Sequence, residues 1–235
     1  MRLFSVGGIV NYMKYARVSL LIILLLCSIS VFAQGVYLEK GQNGFGGEAR
    51  VNFSEDGFEA TEVTAAYSIA GILDIGAGLT YTLGELEGFS SSDLRIAFDY
   101  RVNVLKQSSG VPLSLQIIGS YGLNDVISEY LENNNARRRG TGYTIGLDLS
   151  RNFRLARFLL LHLNLLVDYE SISYSTTVVS PDVQDNVRNL YYGGGGGFLF
   201  VFPKGQTLAL RAEVRADEDM ELHIQPVVGV AFPQY

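Results

Sequence analysis

The sequence predicts an all-β protein, an antiparallel up-and-down transmembrane β-barrel of about ten strands. Three observations lead there. Apolar and polar residues alternate in ten separate stretches, and a period of two marks a strand with one apolar and one polar face. The stretches run about ten to twelve residues, against a mode of about 5–6 in soluble proteins, and they match what a tilted strand needs to cross a bilayer. A secretory signal precedes them all.

That signal sits in residues 1–33. Lys14 and Arg17 lead into the apolar run 18–32, and Val31 and Ala33 supply small side chains before a cut after Ala33. MKYARVSLL, beginning at Met13, is itself a complete signal and makes Met13 a second candidate start. The apolar run is about 15 residues, short of the roughly 20 a spanning helix needs. Leu26 before Cys27 argues against a lipoprotein, whose cysteine follows a small residue. Cleavage leaves residues 34–235 as one barrel domain. The 18 basic and 24 acidic residues of the whole chain become 15 and 24, a net charge of −9 in place of −6. The only cysteine goes too, so no disulfide is expected. A negative chain is a poor partner for nucleic acid.

The first strand is read at 44–54, with Phe45, Ala49, Val51 and Phe53 opposite Glu48, Arg50 and Asn52. SEDG then signals a turn. The second, 58–69, sets Val63, Ala65, Tyr67 and Ile69 against Glu62, Thr64, Ala66 and Ser68. The third, 73–83, alternates most cleanly, from Leu73 and Ile75 to Tyr81 and Leu83. The fourth, 93–104, sets Leu94, Ile96, Phe98, Tyr100 and Val102 against Asp93, Arg95, Ala97, Asp99 and Arg101. The fifth and sixth are 112–123 and 141–150, with Asp148 on the polar face of the sixth. The seventh, 158–170, is the most apolar and opposes Leu159 to Val167 with His162, Asn164 and Asp168. The eighth, 190–202, carries five glycines at 193–197, and its parity stays open. The ninth, 206–216, sets Leu208, Leu210, Ala212 and Val214 against Arg211, Glu213 and Arg215. The tenth, 221–232, sets Leu222, Ile224, Val228, Val230 and Phe232 against Glu221, His223 and Gln225. Eight strands is the alternative count.

Short turns follow the second and eighth strands, while the longest connections, 124–140 and 171–189, follow the fifth and seventh. That suits a barrel with short periplasmic turns and long outer loops. Tyr81, Tyr121 and Tyr169 would end upward strands, and Tyr143 and Tyr192 would begin downward ones, so all five fall at the outer rim. Phe45, Phe202 and Phe232 fall at the inner rim. A soluble lipocalin-like barrel would turn the apolar face inward around a ligand. Strand length, charges in mid-strand and the bulk of the apolar face favour a lipid-facing exterior instead.

Over residues 44–232 the chain resembles the small outer-membrane β-barrels, such as the barrel domain of OmpA-like proteins and the porin-family barrels of Bacteroidetes. The resemblance rests on pattern. The last strand resembles their terminal signature, alternating apolar residues closed by an aromatic, with Phe232 in that place but followed by Pro233, Gln234 and Tyr235. It implies export to the bacterial outer membrane, contact with its lipid and lipopolysaccharide, and recognition by the barrel assembly machinery. No cofactor is implied.

With the apolar face in lipid, the lumen would hold Glu48, Arg50, Glu62, Asp74, Asp93, Arg95, Asp99, Arg101, Asp148, Asp168, Glu170, Arg211, Glu213, Arg215 and Glu221. Two readings follow: a salt-bridged plug, since small barrels fill their interiors with side chains, or a narrow pore that the excess of acids biases toward cations. The glycine run has no following Lys and Ser/Thr and continues as a strand, so it is not a phosphate loop. Arg137, Arg138 and Arg139 form a basic patch in the outer loop 124–140, open to lipopolysaccharide or to neighbouring Glu129 and Glu132. No catalytic residue is assigned. His162 lacks the serine of barrel lipases. His223, preceded by Asp217 and Asp219, lacks the Asp-x-His pair and the long protruding strands of omptin-like proteases. No cluster shows metal-ligand spacing. The reading is a non-enzymatic barrel with a structural or surface-interaction role.

Overall fold

The computed structural model describes residues 38, 41–55, 57–108, 110–177 and 183–234. Residues 1–33, where the sequence reading expects a secretory signal and Cys27, lie outside them. Ten strands follow in order: β1 Asn43–Ser54, β2 Gly57–Ile69, β3 Leu73–Leu86, β4 Phe89–Leu105, β5 Ser114–Ser128, β6 Arg137–Ala156, β7 Leu159–Thr177, β8 Val183–Val201, β9 Thr207–Ala216 and β10 Leu222–Gln234. One short helix, α1 Glu129–Asn133, joins β5 to β6, capped by Ser128 Oγ accepting from Tyr130 N. Every strand pairs antiparallel with its sequence neighbour, and β1 closes on β10 between Asn43↔Gln234 and Phe53↔Ile224. The result is a closed ten-stranded up-and-down barrel, so the eight-stranded alternative falls away.

Closure leaves no sheet edge, and the alternation decides which side meets what. Ile96, Phe98, Leu147, Leu165, Val167, Leu210 and Val228 lie on the outside and are exposed. Glu48, Asp74, Asn164, Asp168, Arg211 and Glu213 lie inside and are buried. This is the reverse of the lipocalin arrangement. The belt is best read on β7, whose outward residues are Leu159, Leu161, Leu163, Leu165, Val167 and Tyr169, and then Ser171, Ser173 and Ser175. The ten steps from Leu159 to Tyr169, at about 3.3 Å each and a tilt of about 40°, give about 25 Å of height, the thickness of an outer-membrane belt.

Several sequence expectations need correction at the end of the barrel away from the start of β1 and the end of β10. The tyrosines do form an outward band, with Tyr121 paired to Tyr143 and the Tyr143 and Tyr169 rings 6.1 Å apart. They do not end their strands, because β3 runs on to Leu86, β5 to Ser128 and β7 to Thr177. The expected long loops are mostly strand: 124–140 is the end of β5, α1 and the start of β6, and 171–189 holds the end of β7 and the start of β8. β3 and β4 meet in a two-residue turn, Glu87 and Gly88, both at positive φ (53° and 78°), the form that matches strand twist. Beyond the belt, lipid no longer demands an apolar face, so the alternation fades while backbone pairing continues. Strands of 15–20 residues on β5–β8 therefore protrude, contrary to the contrast drawn with omptin-like proteases.

Candidate functional site

The lumen is built by parity. Even residues of β1, β2 from Ala60 onward, β3, β6 and β7 point inward, as do odd residues of β4, β8, β9 and β10, which places all twelve of the principal charges on one polar surface; a register shift opposite Asn52 and Phe53 adds Glu59 of β2. Glu48, Arg50, Glu62, Asp93, Arg95, Asp99, Arg101, Asp148, Asp168, Arg211, Glu213 and Arg215 all lie on it. Asp74 and Glu170 join them. Glu221 does not: it is exposed in the turn before β10.

At the waist the charges form one chain of contacts. Arg50 donates to Glu48 (2.8 Å), Arg211 to Glu48 (2.6 Å) and to Glu213 (3.2 Å), and Arg215 to Glu213 (3.1 Å) and Asp168 (2.8 Å). The side chains of Glu48, Arg211 and Glu213 are 0%, 4% and 3% exposed. Asn164 donates to Asp148 at 3.1 Å and to Glu213 at 3.5 Å. Arg95 on β4 crosses the lumen to Glu170 on β7 and also reaches Ser120 at 3.0 Å. Above it, Tyr174 donates to Asp93 at 2.5 Å, and Asn124 to the same carboxylate at 2.8 Å.

This network divides the interior. One cavity of about 290 Å³ lies toward the protruding end, lined by Glu59, Asp93, Tyr174, Asn189, His223 and Gln225. A second, about 230 Å³, lies below it among Asp74, Gly78, Asp99, Arg101, Ser120 and Asp168. Arg95, Glu170 and Arg215 line both. A third cavity, about 20 Å³, lies at the waist among Arg50, Arg101, Ile118, Asp148, Leu166, Arg211, Glu213 and Arg215. Below it, His162 Nδ1 lies 2.7 Å from Asn152 Oδ1, and Leu199, Ala209, Val227 and Ala231 are buried. Leu38 packs with Ala231 and Phe45, while Lys106 Nζ donates to the carbonyl of Leu38 and, at 3.2 Å, to that of Gly71.

The glycine run, whose parity the sequence leaves open, belongs to this network. Gly193, Gly195 and Gly197 face inward and pair with Arg215, Glu213 and Arg211. A Cβ on Gly195 would run into the Ala212 carbonyl and stand 2.8 Å from Glu213 Cγ, and one on Gly197 into the Leu210 carbonyl and stand 2.9 Å from Arg211 Cγ. Bare backbone there lets the long side chains of β9 lie flat across β8. The cue in the sequence is the paired run: alternate glycines on one strand and alternate charges on the next.

The basic patch is not a loop. Arg137, Arg138 and Arg139 open β6 and pair with Asp125 (3.2 Å), Asp185 (3.1 Å) and Asp125 (3.5 Å), not with Glu129 or Glu132. Arg138 also stacks over the Tyr174 ring at 4.5 Å. At the mouth, His223 Nδ1 lies 3.0 Å from Glu59 Oε2, and the fold brings His223 together with Asp217 and Glu221, a grouping of metal-ligand type that spacing alone does not reveal.

No family model matches the sequence, and no curated protein matches it. Among solved structures, the translocator domain of the autotransporter NalP from Neisseria meningitidis aligns over 97% of this chain and 99% of its own, at 11% identity and a TM-score of 0.48. The beta domain of the Bordetella autotransporter BrkA aligns over 83% and 99%, at 13% and 0.44. Ail, the attachment invasion locus protein of Yersinia pestis, aligns over 82% and 97%, at 12% and 0.36. The barrel assignment stands on the strand pairing itself.

Proposed function

We propose that this chain is an integral outer-membrane barrel, exported by its signal segment, whose lumen is closed by its own ion pairs and which acts through its protruding end rather than by conduction or catalysis. The observation that carries this reading is the waist: an unbroken chain of ion pairs runs from Arg50 through Arg211 to Asp168, and the cavity among these side chains, about 20 Å³, has room for about one water. The apolar belt supports a bilayer setting. The protruding strands β5–β8 supply polar surface for a partner outside, lipopolysaccharide among them. A second reading, a narrow cation-preferring channel, draws on the two cavities above the waist, where acids outnumber arginines.

Single-channel recording separates the two. Protein from residue 34, refolded in detergent and checked by heat-modifiable gel migration, is inserted in a planar bilayer. Silence after confirmed insertion supports the closed barrel. Discrete cation-selective steps replace it with the channel.

A further inference from the structure

The turn joining β9 to β10 gathers groups that neither a plug nor a pore uses. His223 is the first inward residue of β10 and is 5% exposed. Its Nδ1 lies 3.0 Å from Glu59 Oε2 on β2, and the Tyr191 ring meets the imidazole edge-on with centroids 5.9 Å apart. With Glu59 accepting the Nδ1 proton, the lone pair sits on Nε2. That atom is buried and has no hydrogen-bond partner among the described residues. It faces Asp217 Oδ2 at 3.8 Å, too long for a hydrogen bond.

Asp217 is itself locked. Its Oδ1 accepts from the backbone N–H of Asp219 (3.0 Å) and of Glu221 (2.8 Å), which leaves Oδ2 for the space in front of His223. Glu221 completes the group, and one ligand atom from each of the three residues lies within 4.8 Å of the others.

The geometry points to a divalent transition-metal site at this end of the barrel, formed by His223 Nε2, Asp217 Oδ2 and the Glu221 carboxylate, with Glu59 as the positioning residue behind the histidine. An imidazole whose far nitrogen donates to a carboxylate is the arrangement that orients and strengthens a metal-bound histidine. Ligands on a tetrahedral zinc at about 2.0–2.1 Å stand about 3.3 Å apart, so a small side-chain shift closes the 3.8 Å gap. A nitrogen ligand with two carboxylates selects zinc or a neighbouring transition ion over magnesium or calcium, which take oxygen sets. Three protein ligands leave an open position. Glu59 and His223 both line the 290 Å³ cavity, through which an outside ligand would reach the ion.

Zinc titrated against a chromophoric chelator tests this on the chain from residue 34, folded in detergent. Cobalt absorption reports the coordination. The expected result is one ion per chain with a tetrahedral cobalt spectrum. His223→Ala lowers affinity about 100-fold or more, and Glu59→Gln about 10–100-fold. Asp217→Asn keeps the Oδ1 acceptor of the turn and removes only the ligand oxygen, so it separates lost binding from lost folding. Glu218→Gln, an exposed acid of the same turn outside the cluster, leaves affinity unchanged. Absence of one-to-one binding, equal affinity in His223→Ala, or an equal loss in Glu218→Gln and Asp217→Asn would overturn the site.

Discussion

Replacing Arg211 by Met tests whether the waist is dry. Arg211 links Glu48 and Glu213, and all three side chains are almost fully buried. Breaking a buried pair by deleting one partner costs about 3–5 kcal/mol, because a charge is left uncompensated. Here each glutamate keeps a second arginine: Glu48 keeps Arg50 at 2.8 Å and Glu213 keeps Arg215 at 3.1 Å. The loss should therefore fall at the low end, about 3 kcal/mol. The assay is reversible urea unfolding in lipid vesicles followed by circular dichroism, since the chain has no tryptophan to report by fluorescence. Adding Glu48→Gln to Arg211→Met should recover part of the loss, giving a coupling of about 1–3 kcal/mol. A loss below about 1 kcal/mol that shrinks further in high salt would be the behaviour of solvent-exposed pairs. That result would mean a water-filled lumen and would refute the closed waist.

Other substitutions test the remaining parts. Leu165→Arg, at a belt position 63% exposed on the outside of the barrel, should cost about 2–4 kcal/mol in vesicle unfolding, whereas Ser173→Arg, beyond the Tyr169 boundary, should cost about 0–1 kcal/mol. Gly195→Ala should cost about 1–3 kcal/mol by overpacking against the Ala212 carbonyl and Glu213 on β9. Gly196→Ala should be better tolerated in the same assay, because its new methyl meets the movable tip of Leu163 on the lipid side. Arg95→Ala removes one of the side chains that line both cavities. It should join them and lower stability while leaving planar-bilayer recordings silent, because the waist below is intact.

The belt and the lumen were legible in the sequence wherever lipid enforces alternation. Leu159 to Val167 against His162, Asn164 and Asp168 could be read because an error of one residue would put Asp168 in hydrocarbon. Outside the bilayer that constraint lapses. The ends of β5 and β7 and the starts of β6 and β8 therefore read as loops, although their backbones stay paired. The arginines at 137–139 were visible, but their partners Asp125 and Asp185 were not, because pairing across β6 depends on register and not on nearness in sequence. His223 stood out by residue type. Its link to Glu59 needed barrel closure, which brings residues 164 positions apart into contact.

The glycine run and the β9 charges are best understood as one device. A ten-stranded barrel is too wide for small side chains to fill and narrower than the barrels of about 16 strands that hold open channels. Arg211 and Glu213 solve this by lying sideways over Gly197 and Gly195, with Gly193 opposite Arg215, so that β8 gives up side-chain volume and β9 supplies it. The same charges fix register. A one-residue slip of β9 would turn all three toward lipid, at about 2–4 kcal/mol for each arginine near the bilayer midplane. The inward pairing at the waist is thus also what makes the correct strand alignment the stable one, and a glycine strip facing a charge ladder specifies both from two short segments of sequence.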